Sequence, residues 1–215
     1  MMNNQSVFIL GAGGHTKVLL DCLLSYDHIN ILGILDINVA LQDQTLKGIP
    51  IFCNEQDFLQ SHTPETMKLV NGIGSIALPL QRLNIFKKFK NKGFDFVSAI
   101  HSHAYIAKDV ILGEGVQIMA GSIMQSGCQI GNNVIINTRA SIDHDCHVGD
   151  HVHLAPGVVC CGDVIIGEGS HIGSGAVILQ GITIGNNSLI AAGAVVTSHC
   201  RAFSRIAGVP AKEME

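Results

Sequence analysis

Residues 105–200 form sixteen consecutive six-residue units, which begin YIAKDV, ILGEGV, QIMAGS, IMQSGC, QIGNNV and IINTRA and continue without insertion or deletion. The second residue of the unit is aliphatic or Met in fifteen of the sixteen cases, and only Cys160 departs from the pattern. The sixth residue is small or β-branched in every unit. Short repeats with one aliphatic and one small inward residue are typical of a parallel β-helix.

A longer period of 18 residues, or three units, is also present. It is marked by glycines that recur at that spacing, namely Gly113, Gly131, Gly149, Gly167 and Gly185. One coil therefore has three flat faces, and the repeat predicts a triangular prism of about five coils with strands about 4.8 Å apart. The aliphatic column fills the axis of this prism, and the small column allows the chain to turn at each corner.

The composition of the 215 residues favours a tightly packed, β-rich body, since 47% are apolar, 14% are charged and none is Trp. The net charge of −4 gives no reason to expect a nucleic acid or an anionic membrane as partner. No apolar run reaches the roughly 18 residues that would span a bilayer, and the N-terminus lacks the basic start of a signal peptide. The seven cysteines lack framework spacing, and Cys128, Cys146 and Cys200 fall at the small inward position. We therefore expect reduced thiols in a cytoplasmic protein.

The N-terminal region predicts a βαβ unit with a glycine-rich first turn. A strand at 6–10 leads into Gly11-Ala12-Gly13-Gly14-His15, a helix follows at 16–24, and a second strand at 31–35 ends at Asp36. Such a turn lets the backbone approach a ligand, and a helix N-terminus attracts phosphate. We expect Gly13, Gly14, His15 and Lys17 to contact phosphate and Asp36 to contact a ribose or base. A purely structural turn is the alternative, because Thr16 replaces the third glycine of the dinucleotide fingerprint.

The same alternation continues with a strand at 49–52, a helix at 55–61, a strand at 68–73 and a helix at 80–92. Gly72 ends the last of these strands on the side where α/β proteins bind ligands, so we expect a second ligand contact there. We place a domain boundary near Val97, which gives an α/β half-Rossmann domain at 1–97 and a β-helix domain at 98–215. So short a first domain favours a mononucleotide or nucleotide-sugar over NAD.

The hexads, the N-terminal GAGGH and the terminal Gly208-Val209-Pro210-Ala211-Lys212 together carry a specific resemblance. The repeat is similar to the left-handed parallel β-helix of hexapeptide acyltransferases, an exception to the right-handed crossover rule. The whole chain resembles the sialic acid O-acetyltransferase-like sugar acetyltransferases. Within that family it looks closest to the N-acetyltransferases of nucleotide-linked 4-amino-4,6-dideoxy sugars, of bacillosamine and perosamine type. The resemblance implies acetyl-CoA as co-substrate, a nucleotide-linked amino sugar as acceptor and no metal.

Five of the eleven histidines fall between His144 and His171, beside the most polar part of the repeat at 137–145. His144 stands at the fourth position of its hexad, so it should project from a corner of the prism. A solvated His at a corner is the plain interpretation. A carboxylate on each side, however, would raise the pKa of the imidazole and orient the ring. The resemblance implies that His144 is the general base and that Asp145 increases its basicity, at a position where many relatives have Glu.

The resemblance also implies that Asn137 helps to position His144 or the amine, and it assigns four residues to contacts with acetyl-CoA. It implies that His153 lies near the thioester and that the backbone near Gly173, Ser174 and Ala192 holds the pantetheine. No cysteine stands beside His144 as a nucleophile, because Cys146 is inward, so we expect direct attack by the amine.

The register adds an inference about assembly. His144 and His153 are nine residues apart, which is half a coil, so they lie on different sides of one prism. They can share a site only if a neighbouring chain supplies one of them, which predicts a homotrimer with active sites between prisms.

Three other functions fit parts of the pattern. The histidines 144, 147, 151 and 153 would suit a zinc enzyme of the γ-carbonic anhydrase type, although that class has no nucleotide-binding domain. The same base could activate a hydroxyl, as in O-acetylation of a sialic-acid-like sugar. A β-helix that binds a nucleotide-sugar without turnover is the third alternative.

Overall fold

The computed structural model describes residues 5–214. The N-terminal elements are, in chain order, β1 (Gln5–Leu10), α1 (Gly14–Leu23), β2 (Ile29–Leu35), a 3-10 turn (Val39–Leu41), β3 (Thr45–Leu46), β4 (Ile49–Phe52), α2 (Glu55–Ser61), β5 (Lys68–Asn71) and α3 (Leu80–Lys90). Each predicted strand and helix of this region is present, with ends that shift by at most two residues. The structure also contains β3, which pairs with β4 in a hairpin and was not predicted.

The first sheet has the strand order β3-β4-β2-β1-β5, and β1, β2, β4 and β5 are parallel. One core on this sheet is built mainly of phenylalanines, among them Phe8, Phe58, Phe89 and Phe94. Because β1 lies between β2 and β5, the turn after β1 opens at the carboxyl edge of the sheet, where ligands bind in such folds. The Rossmann-like domain predicted from the sequence is confirmed.

From residue 99 onward the chain forms short strands. They are β6 (Ala99–Ile100), β7 (Tyr105–Ile106), β8 (Ile111–Leu112), β9 (Gln117–Ile118), β10 (Ile123–Met124), β11 (Gln129–Ile130), β12 (Ile135–Ile136), β13 (Ser141–Ile142), β14 (His147–Val148), β15 (His153–Leu154), β16 (Val159–Cys160), β17 (Ile165–Ile166), β18 (His171–Ile172), β19 (Val177–Ile178), β20 (Thr183–Ile184), β21 (Leu189–Ile190), β22 (Val195–Val196), β23 (Arg205–Gly208) and β24 (Ala211–Glu213).

Each two-residue strand pairs in parallel with the strand one coil later, as Ile123 does with Ser141 and Gln129 with His147. Three sheets result, one for each face of the prism. The second hexad residues point inward and form one continuous buried core, from Ile118 to Val196. The left-handed parallel β-helix with an 18-residue coil is therefore confirmed.

The corners of the prism are turned at the fifth hexad position, while the small sixth residues pack inside. This fifth position is left-handed in successive units, with φ of 78° at Gly127, 58° at Arg139 and 59° at Asp145. Glycine adopts this conformation without strain, and Asn and Asp tolerate it better than most side chains do. Asp145, which follows His144, is therefore a residue type that tolerates this conformation.

The chain divides into two compact units. One contains the residues up to Gly74 together with Asn84–Ala99, and the other contains Ser75–Leu83 and the residues from Ile100 onward. Segment 75–83, which the sequence analysis placed in the first domain, thus belongs to the unit of the β-helix. No helix within residues 5–214 has the length and apolar character needed to cross a membrane.

Candidate active site

His144 lies at the corner between β13 and β14 and is open to solvent, with 52% of its side chain exposed. Its Nδ1 is 2.9 Å from Oδ2 of Asp145, and its backbone N–H donates to Oδ1 of Asp143 at 2.8 Å. The two flanking carboxylates therefore contact different parts of His144: Asp143 binds its backbone N–H, and Asp145 orients its ring.

The electrostatics favour a strong base at this corner. The hydrogen bond that Nδ1–H donates to Asp145 raises the pKa of His144, and the negative charges of Asp143 and Asp163 raise it further. When the neutral ring donates its Nδ1–H to Asp145, Nε2 carries the lone pair. The arrangement can thus accept a proton at Nε2 and stabilise the imidazolium that forms.

Cys146, two residues from His144, is unsuited to act as a nucleophile. The residue is fully buried and its Sγ donates to the carbonyl oxygen of Cys161 at 3.1 Å. A hydrogen bond with Cys128 and then burial raise the pKa of its thiol, so the thiolate is disfavoured. All seven cysteines are free thiols.

Asn137 follows β12 and contacts His153, which is only 4% exposed on β15, the strand one coil later in the same sheet. Asn137 Oδ1 accepts a hydrogen bond from the N–H of Thr138 at 2.8 Å, so its Nδ2 is the atom that lies 3.1 Å from His153 Nε2. Because Nδ2 is a donor, Nε2 of His153 accepts. The neutral ring of His153 must then carry its proton on Nδ1.

Nδ1 of His153 lies 2.7 Å from Oγ of Ser75 and donates a hydrogen bond to it. The same Oγ lies 3.4 Å from Nδ1 of His171. Burial lowers the pKa of His171 and keeps it neutral, so the Ser75 hydroxyl can donate to it. The sequence analysis missed both residues. His171 repeats the position of His153 one coil later, a signal that was available, whereas Ser75 is 78 residues distant and gave none.

The other two histidines of this stretch are placed apart from these groups. His151 is buried and its Nδ1 lies 3.0 Å from Nδ2 of Asn133, while His147 is exposed on β14. Within the described residues, no group of three or more His, Cys, Asp or Glu side chains is placed to hold a metal ion.

The residues expected to hold the pantetheine lie at one corner of the prism, on neighbouring coils. Ser174 and Ala192 are exposed and 18 residues apart, and the N–H of Gly193 donates to the carbonyl oxygen of Ser174 at 2.9 Å. Gly173 is buried, and a Cβ there would lie 2.5 Å from the nitrogen of Ala192. Close stacking of two coils therefore already accounts for this glycine.

In the first domain, the glycine turn leads from β1 into α1. Gly11 has φ of 93°, a conformation that favours glycine, but Gly13 and Gly14 lie outside that region and a Cβ on either would meet nothing within 4 Å. Neither strain nor crowding explains these two glycines. Thr16, where the fingerprint has its third glycine, is buried and donates its hydroxyl to the carbonyl oxygen of Gly11 at 2.6 Å.

Asp36 ties this turn to the end of β2. Its Oδ2 accepts from the N–H of Ala12 at 2.6 Å, and its Oδ1 accepts from the N–H of Asn38 at 2.8 Å. The carboxylate therefore has a structural function whatever ligand it contacts. Around it, Lys17 is exposed and His15 is half-buried, with its Cβ 3.1 Å from the place of a Cβ on Gly74.

Gly72 is buried beneath Thr16, whose Oγ1 would overlap a Cβ at that position. Packing thus explains this glycine, and its expected contact with the nucleotide-sugar remains a prediction.

Comparison with known proteins gives the same two-part organisation. Residues 6–100 match the PglD N-terminal domain, and residues 127–162 and 163–198 match the bacterial transferase hexapeptide (six repeats). The acetyltransferase domain of PglB from Neisseria gonorrhoeae, solved with acetyl coenzyme A, is 31% identical. That match covers 99% of this chain and 100% of that one, with a TM-score of 0.89.

PerB from Caulobacter crescentus, solved with CoA and GDP-perosamine, is 33% identical over 98% of this chain and 97% of that one, with a TM-score of 0.88. WeeI from Acinetobacter baumannii is 25% identical, with coverage of 98% and 100% and a TM-score of 0.84. The chain therefore belongs to the family of hexapeptide-repeat sugar acetyltransferases that carry a PglD-type N-terminal domain.

Proposed function

We propose that this enzyme transfers acetyl from acetyl-CoA to the 4-amino group of a nucleotide-linked 4-amino-4,6-dideoxy sugar, with His144 as general base. The single observation that carries the proposal is the contact of 2.9 Å between His144 and Asp145 on an exposed corner of an acetyltransferase β-helix. The acceptor class follows the similarity to PerB, which was solved with GDP-perosamine.

The reaction needs a deprotonated amine and an acyl carbon within reach. His144 Nε2 accepts a proton from the amine while the amine nitrogen attacks the acetyl carbonyl carbon. The C–S bond of the tetrahedral intermediate then breaks, and the sulfur leaves with the proton that the imidazolium returns. The products are the N-acetyl sugar and CoA thiol, and no acyl-enzyme forms.

For the co-substrate, we assign His153 to a contact near the thioester and Gly173, Ser174 and Ala192 to the pantetheine. The low exposure of His153 means that this contact would use a small edge of its ring, already held by Asn137 and Ser75. Asn137 acts in this proposal as the residue that fixes that ring and helps position the amine.

For the acceptor, the open space at Gly13 and Gly14 above the N-terminus of α1 favours binding of the diphosphate. His15 and Lys17 are placed on the first turn of the same helix, and Asp36 and Gly72 flank it as proposed contacts to the nucleoside. Reduced cysteines throughout the chain favour a cytoplasmic location.

We also propose a homotrimer in which each active site lies between two prisms. His144 follows β13 and His153 begins β15, so the two belong to different faces. A neighbouring chain would have to bring its His153 to His144.

The test is an assay of thiol release from acetyl-CoA with nucleotide-linked 4-amino-4,6-dideoxy sugars and with matched 4-hydroxy sugars. We expect turnover only with the amines and a loss of at least about 100-fold in His144→Ala, the low end of what general-base catalysis contributes. Turnover of hydroxyl acceptors alone would instead indicate the O-acetyltransferase, and no thiol release with any acceptor would contradict both.

A further inference from the structure

Gly162 is the only glycine among the sixteen residues at the fourth hexad position. The other fifteen corners carry side chains as different as Lys, Glu, Pro, Asn and Gln at this place. The position thus tolerates almost any side chain. Nor does the backbone require glycine, because Gly162 is absent from the left-handed region that the fifth positions occupy.

What occupies the space above Gly162 is the ring of His144. The two residues are 18 apart, so they stack at one corner on successive coils, and the N–H of Asp163 donates to the carbonyl oxygen of His144 at 2.9 Å. A Cβ on Gly162 would lie 2.5 Å from Nε2 and 2.6 Å from Cε1 of the imidazole. Both distances are far inside van der Waals contact, so the ring can lie there only because residue 162 lacks a side chain.

Gly127 stands in a similar relation to Asp145, which lies one coil later in the chain. The Oδ1 of Asp145 would overlap a Cβ on Gly127. Its φ of 78° already favours glycine, so Gly127 is explained twice. Gly162 has no such second explanation.

We propose that Gly162 is a positioning residue whose missing side chain seats the imidazole of His144 in hydrogen-bonding reach of Asp145. The inference rests on the proposed function only in taking His144 as the base. The seating itself is a property of the chain without substrates.

The first measurement is the titration of His144 by NMR in the full-length protein without substrates. Gly162→Ala displaces the ring from Asp145, so we expect the pKa of His144 to fall toward its ordinary value. Gln180→Ala, at the same corner on the next coil, should leave it unchanged. Turnover of Gly162→Ala should fall about 100-fold, the cost of a displacement of about 1 Å, with little change in KM for acetyl-CoA. If activity falls while the titration of His144 stays the same, Gly162 makes room for substrate instead, and the proposal is wrong.

A second measurement serves if Gly162→Ala folds poorly. The loss of Tm caused by Gly162→Ala is compared in the wild-type and His144→Ala backgrounds. We expect the loss to shrink or vanish without the ring, since the clash is then relieved. An equal loss of Tm in both backgrounds would overturn the proposal. Failure of Gly162→Ala to fold in the His144→Ala background as well as in the wild type would also overturn it. Inactivity of His144→Ala alone tests the proposed function separately.

Discussion

The carboxylate of Asp145 lies 2.9 Å from Nδ1 of His144, although the two residues are adjacent in the chain. The short arm of Asp suffices because the backbone of Asp145 is left-handed, with φ of 59°. This relationship gives the corner both an exposed imidazole and the group that raises its pKa.

The first prediction concerns pH. Because the hydrogen bond to Asp145 raises the pKa of His144, the imidazolium loses its proton only above the ordinary pKa of His, and kcat/KM should rise with pH through that raised pKa. Asp145→Asn removes the charge, so the midpoint of this acid limb should move to lower pH while the plateau falls at least about tenfold. Asp145→Glu keeps the charge and should stay nearer the wild type. An unmoved limb in Asp145→Asn would show that another group controls it.

The same raised pKa has a consequence for stability, with the sign fixed by linkage. The contact stabilises protonated His144, so its contribution is fully present below the ordinary pKa of His and is lost as pH rises through the raised one. We expect the difference in Tm between wild type and Asp145→Asn to be largest below the ordinary pKa of His and to shrink as the pH rises through the raised pKa of His144. A difference that grows with pH would contradict this interpretation.

The second prediction concerns the proton on His153. Since Asn137 donates to Nε2, the neutral ring should be the Nδ1–H form, which ¹⁵N shifts of the imidazole distinguish. Asn137→Asp replaces the donor with an acceptor and should place a proton on Nε2. Ser75→Ala should leave Nε2 unprotonated, because Asn137 still donates to it. Finding the Nε2–H form in the wild type would refute the hydrogen-bond directions given above.

The third prediction tests the trimer. His144→Ala and His153→Ala chains, each inactive alone, are co-expressed or refolded together. In a random trimer with sites between chains, about a quarter of the sites would regain both histidines, so activity should return to about that fraction. Each variant mixed with itself is the control. A mixture that shows subunit exchange but no activity would place both histidines in one chain's site.

The fourth prediction concerns Asp36, whose carboxylate accepts two backbone hydrogen bonds. Asp36→Ala should raise KM for the nucleotide-sugar at least about tenfold and lower Tm by several degrees, as expected for hydrogen bonds to a charged group. KM for acetyl-CoA should change little. Asp27→Ala, which removes an exposed carboxylate of the same domain, is the control. Equal effects on the two KM values would argue against a nucleotide site at this turn.

The sequence predicted the β-helix almost residue by residue because each hexad is a local rule repeated sixteen times. It also located His144 and its carboxylates, since their contacts join neighbours in the chain. Contacts between distant segments were beyond its reach. Nothing in the pattern around Ser75 shows that it meets His153. The 18-residue register puts Asn137 and His153 on neighbouring coils, but only the folded structure shows that the amide reaches the ring. The sequence pattern pointed to Asp36, but it did not predict that the N–H groups of Ala12 and Asn38 donate to its carboxylate.

The 18-residue pairing of strands has a further consequence for how the enzyme can change. Deleting residues 105–122 would remove one complete coil and leave every later side chain in phase, so the prism would shorten while its corners keep their identity. Deleting a single hexad would rotate all that follows by one face. Insertions and deletions in such a chain should therefore survive in steps of three hexads. Loss of one hexad between Asp145 and Gly162 would instead place Glu168, in the place of Gly162, against the ring of His144.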